Sequence, residues 1–136
     1  FNMDGMTATL ENAMVNHDAY TRAFTRICFH EPPCKEVEDW VSTEMKKLPV
    51  YIAFALYNDF LFKDYTPPLK KITIPLMICC ADSGAIPRGL AMGRHYRDLV
   101  DGKCFFHEFL TLGHVMFLED PEQFNRTVLE FVEQYA

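Results

Sequence analysis

The sequence predicts an α/β chain, a helical segment over residues 1–66 followed by a β-α-β-α segment over 67–136, and three observations predict it. Apolar side chains recur at helical spacing through the first sixty or so residues. Two later runs, residues 72–80 and 103–110, are short, apolar and rich in β-branched or aromatic side chains, as strands of a parallel sheet are. A helical pattern separates those runs, so they form a parallel pair with a right-handed crossover.

Each element follows from local chemistry. Asn16 caps a first helix whose Tyr20, Ala23, Phe24, Ile27 and Cys28 share one face. Pro32 and Pro33 end it, because proline lacks the N–H and restricts the residue before it. A second helix places Val37, Trp40, Val41, Met45 and Leu48 together. Pro49 opens a third helix over residues 50–62, apolar nearly all round at Ile52, Phe54, Ala55, Leu56, Phe60 and Leu61. Such a helix is expected to be buried or to line an apolar pocket.

The pattern changes at Tyr65-Thr66-Pro67-Pro68, ahead of the first strand. A loop at 81–87 leads to a helix near 88–100, and Asp101-Gly102 turns the chain into the second strand. Gly113-His114 falls in the loop after that strand. Asp120, Pro121 and Gln123 are the N-cap, first-position proline and third-position amide of a last helix. That helix is expected to bury Phe124, Val128, Phe131, Val132 and Tyr135. Two parallel strands buried on both faces need neighbours that these do not supply. The chain is therefore expected to associate with another copy or with a complementary N-terminal half.

Composition narrows the function. With 49% hydrophobic and 14% aromatic residues, the 136-residue chain is globular rather than disordered. A net charge of −6 without a basic stripe argues against nucleic acid. No apolar run reaches the length of a membrane span. The five cysteines are an odd number, and Cys79-Cys80 and Cys104 lie in apolar runs, which points to free thiols in a reducing, cytoplasmic compartment. The sequence opens on Phe1 with no signal peptide, which reads as a fragment or a cleavage product. His30, Glu31 and Cys34 have no second pair to complete a metal site. His95 and His107 lack ligand spacing, and no phosphate loop or dinucleotide fingerprint is present.

From Leu69 onward the residues resemble the end of the α/β-hydrolase superfamily. Leu69-Lys70-Lys71-Ile72-Thr73-Ile74-Pro75-Leu76-Met77-Ile78 is similar to the lead into its penultimate core strand. Gly113-His114, then Glu119-Asp120-Pro121-Glu122-Gln123-Phe124-Asn125, is similar to its catalytic-histidine loop and final helix. The resemblance implies the C-terminal part of that fold, with residues 1–66 as the helical cap.

It also implies a chemistry. In this family a nucleophile, usually the Ser of Gly-x-Ser-x-Gly, gives its proton to a histidine that a carboxylate orients. His114 matches the histidine. In many relatives the acid lies four residues before a proline, a register that here holds Ser83, with Asp82 one position early. Asp82 is the nearest carboxylate. Branches such as the haloalkane dehalogenases take the acid from an earlier loop, which here would put it upstream of Phe1 or near it, with Asp4 the only early candidate. No Gly-x-Ser-x-Gly occurs in the chain. Ser42 falls mid-helix, and Ser83 in Ala81-Asp82-Ser83-Gly84-Ala85 lacks the flanking glycines and lies only 31 residues before His114. The resemblance thus implies a serine-type hydrolase of an ester or related acyl bond, with no cofactor or metal and its nucleophile outside this chain. The cap aromatics, Trp40, Phe54 and Tyr57 foremost, suit a small hydrophobic substrate. Two alternatives remain open: a dehalogenase-like hydrolase with an Asp nucleophile, and a non-catalytic binding fragment that keeps the scaffold.

Overall fold

The computed structural model describes residues 11–135, apart from the side chains of Tyr57 and Leu61. After a helical stretch at 11–15, the elements are α1 (His17–Cys28), α2 (Lys35–Lys46), α3 (Val50–Phe62) and a 3-10 turn (Pro67–Lys71). Then come β1 (Leu76–Cys80), α4 (Gly89–Leu99), β2 (Cys104–Glu108), α5 (Met116–Glu119) and α6 (Pro121–Tyr135). The chain forms two compact units. One holds the residues up to Arg26 with Pro32–Lys63, and the other holds Ile27–Glu31 with the residues from Asp64 onward.

In the first unit Asn16 caps α1 as expected, its Oδ1 accepting the Ala19 N–H at 3.0 Å. The buried helix faces differ from the apolar stripes. Thr21 and Thr25 of α1 and Glu38 and Ser42 of α2 are buried, while Ala23 and Trp40 are exposed. Satisfied polar groups explain the rotation. Thr21 Oγ1 donates to Asp18 O at 3.1 Å and Thr25 Oγ1 to Thr21 O at 2.8 Å, so both hydroxyls are partnered inside their own helix. Ser42 Oγ donates in the same way to Asp39 O. Arg26 meets Glu38 through two bonds of 2.8 and 3.0 Å, and Arg22 joins Asp18 and Asp39. The bidentate Arg26–Glu38 pair and the single Arg22–Asp39 contact, both charge-assisted, join α1 to α2.

α3 begins at Val50 behind Pro49, as read, but it is not buried all round. Tyr51, Leu56, Phe60 and Phe62 are exposed. Its Val50, Ala53 and Phe54 line a cavity of about 270 Å³ with Tyr20 and Phe24 of α1 and with Leu48. The described parts of α1 and α2 cover one side of α3 only.

In the second unit β1 and β2 pair in parallel, in register from Leu76↔Cys104 to Cys80↔Glu108. The first strand starts later than its apolar run because Pro75 has no N–H for the ladder. Both strands are half-buried rather than covered on both faces, since no further strand flanks them among the described residues. α4 lies so close to β1 that a Cβ on Gly93 would fall 2.6 Å from Cys80 Sγ. The core comprises Ala81, Phe109, Leu112 and Met116, with Cys79 and Phe124 against it. Phe109, 1% exposed, contributes roughly 1.5–3 kcal/mol through burial.

α6 starts as read, with Asp120 Oδ1 accepting the Gln123 N–H at 2.9 Å. Its Phe131 packs edge-on to Phe105. Its buried face is turned from expectation: Thr127 is buried with its hydroxyl on Gln123 O, whereas Val132 is exposed. The short helix α5 was not anticipated in the stretch between His114 and α6.

Candidate active site

Parallel pairing brings the carboxyl ends of β1 and β2 to one edge, the edge at which open α/β sheets bind ligands. Two loops leave it, 81–88 from β1 and 109–115 from β2, the first carrying Asp82 and the second His114. The core lies directly beneath them. Ala81 and Phe109 are the first residues of the two loops, and Leu112 and Met116 flank the Gly113-His114 pair. Buried anchors on both sides hold the histidine loop to one path.

His114 is exposed, and its backbone N–H donates to Cys28 O at 2.7 Å. Ala85 N–H, in the other loop, donates to Ile27 O at 2.8 Å. The last carbonyls of a helix have no partner within it, so each loop satisfies one open acceptor at the end of α1. Gly113 N–H donates to Glu119 Oε1 at 2.6 Å, and Glu119 Oε2 accepts the His30 N–H at 2.9 Å. A Cβ on Gly113 would sit 2.5 Å from both Cys28 O and His30 N, so only glycine permits the approach. No described residue makes a hydrogen bond or ion pair with the His114 imidazole.

Asp82 is also exposed, and its Oδ1 accepts the Leu90 N–H at 2.9 Å in the first turn of α4. The structure thus puts Asp82 and His114 on adjacent loops without joining their side chains. Ser83 closes a tight turn, its N–H donating to Ile86 O and its Oγ accepting the Ile86 N–H, each at 3.1 Å. Ser42 is sealed inside α2. Neither serine has a histidine partner among the described residues. Of the three aromatics read as substrate contacts, Phe54 lines the cavity beside α3 and Trp40 lies exposed on α2 outside it. The Tyr57 side chain and Asp4 fall outside the described residues.

Cys28, Cys79, Cys80 and Cys104 are not poised as nucleophiles. Burial pushes the Cys28 and Cys79 thiols up to about 11 and raises Cys80 and Cys104. They stay protonated near neutral pH, and a thiol is a far weaker nucleophile than a thiolate. Among the described residues no group of three or more His, Cys, Asp or Glu side chains is placed to hold a metal. No helix among them is long and apolar enough to cross a membrane. Reading the sequence missed Glu119 and the packing duty of Gly113. The signal was the carboxylate that follows Gly113-His114 just before Asp120-Pro121, but its partners are backbone groups.

No protein-family model and no curated protein matches the chain. Solved structures do. The esterase EaEST from Exiguobacterium antarcticum matches with a TM-score of 0.82 at 18% identity, over 96% of this chain and 48% of the esterase. A Burkholderia cenocepacia protein assigned as an aryl esterase matches with a TM-score of 0.69 at 22% identity, over 93% of this chain and 47% of that one. The chain therefore has the fold of part of these esterases and spans about half the length of each. That relationship fits the α/β-hydrolase resemblance of the sequence.

Proposed function

We propose that this chain supplies the helical cap and the last two core strands of an α/β-hydrolase that cleaves an ester or related acyl bond, with His114 as general base. The observation that carries the reading is the exposed imidazole after β2, at the carboxyl edge of a parallel pair in a fold shared with two esterases. A hydroxyl from a residue outside this chain attacks the acyl carbonyl while His114 takes its proton, then returns it to the departing alcohol. Asp82 is the carboxylate that orients the ring and stabilises the imidazolium, since it leaves the neighbouring strand. Trp40, Phe54 and Tyr57 form the apolar contacts of a small hydrophobic substrate. An N-terminal half of the same fold, or a second copy, covers the strand edges. Five free thiols, most of them at least half-buried, suit the cytoplasm.

The bond from Leu90 N–H to Asp82 favours a second reading, in which Asp82 only caps α4 and the acid comes from elsewhere, as in dehalogenase-like enzymes. Hydrolysis of a simple aryl ester, assayed for this chain alone and again with a nucleophile-bearing N-terminal half, tests the proposal. Turnover should appear with the pair. A pair that binds yet hydrolyses nothing would favour the non-catalytic fragment.

A further inference from the structure

We infer that Glu119 is a positioning residue for His114, clamping the histidine loop through its backbone rather than touching the imidazole. The inference rests on the reading of His114 as the base. One carboxylate spans two segments far apart in sequence, with Oε1 on Gly113 N–H at 2.6 Å and Oε2 on His30 N–H at 2.9 Å. The next N–H along, that of His114, goes to Cys28 O at 2.7 Å. Fixing two successive N–H groups on separate acceptors fixes the backbone torsions at Gly113, and with them the direction in which the His114 side chain leaves the chain. Gly113 is pressed against the same segment, Ile27–Glu31, that supplies Cys28 O and His30 N. His114 itself is exposed, and among the described residues no hydrogen bond or ion pair to its ring orients it. The direction of the base is set from behind.

A carboxylate suits this task because it is acceptor-only. An amide in its place would turn an NH₂ toward one of the two N–H groups, and an aspartate is too short to reach both. Bonds from N–H groups to a carboxylate are also roughly twice as strong as neutral ones. A base displaced by about 1 Å costs on the order of 100-fold in rate.

The test is amide hydrogen exchange in the full chain, wild type and Glu119→Gln, followed by kinetics of the complemented hydrolase. The Gly113 and His30 amides, which lie outside helices and strands, should be protected in the wild type. In Glu119→Gln they should exchange roughly tenfold faster or more, while β1 and β2 amides keep their rates. In the complemented enzyme kcat should fall roughly 100-fold with KM unchanged. Unprotected Gly113 and His30 amides in the wild type would overturn the clamp without any variant having to fold. A lowered melting temperature with kcat intact would reduce Glu119 to a structural residue and overturn the inference. If the wild-type pair proves inactive, the hydrolase reading alone fails, and the exchange rates still decide the clamp.

Discussion

The backbone N–H of His114 is tied to the carbonyl oxygen of Cys28 at 2.7 Å, so the last residue of α1 anchors the loop that carries the proposed base. The contact depends on the absence of a side chain one residue earlier. Gly113→Ala would place a methyl 2.5 Å from two backbone atoms, Cys28 O and His30 N, neither of which is free to move as a side-chain tip is. The variant should lose about 1–3 kcal/mol in denaturant unfolding and should cost activity beyond its loss of folded protein. Unchanged stability would mean that the loop and Ile27–Glu31 are not in contact.

Asp82→Asn separates the two roles open to Asp82. Asparagine caps helices about as well as aspartate, so the bond to Leu90 N–H survives and stability should change by less than about 1 kcal/mol. If Asp82 orients His114, turnover of the complemented enzyme should drop on the order of 10⁴-fold, as loss of a triad carboxylate does. Turnover within a few-fold of wild type would assign Asp82 to the cap of α4 and place the acid elsewhere.

The first unit should weaken in acid in a defined window. Lys35 and Arg22 hold the Asp39 carboxyl down at about 2 against an ordinary 3.8. Because the folded value is depressed, the contribution is complete above 3.8 and is lost as the pH falls through about 2. Asp39→Asn should therefore melt below wild type near neutrality, with the gap closing toward pH 2. The single tryptophan, Trp40, sits next to Asp39 and reports the transition by fluorescence. A gap that persists unchanged at pH 2 would show that the Asp39 pairs contribute nothing.

Where the sequence carries its own punctuation, the elements could be read directly. Asn16, Pro49 and the Asp120-Pro121 pair mark helix starts through local hydrogen bonding or a missing N–H, and the structure begins helices beside each. The two strands were legible from their short apolar runs, and the loop position of His114 followed from the end of the second. Which side of each helix is buried was not. Thr21, Thr25, Ser42 and Glu38 sit inside because their polar atoms find partners, and Glu38 finds its own on a different helix, in Arg26. Apolar periodicity has no means of registering that. Glu119 was hidden more deeply, because one of its two partners is the backbone of a residue 89 positions away.

The most direct test of the whole account is hydrolysis of an aryl ester by the complemented protein with and without His114→Ala. Position 114 is exposed and its imidazole has no partner among the described residues, so the variant should fold and melt as wild type does. Its turnover should nevertheless fall by roughly four orders of magnitude or more. Ester turnover equal to wild type in a folded His114→Ala protein would contradict the assignment of the base.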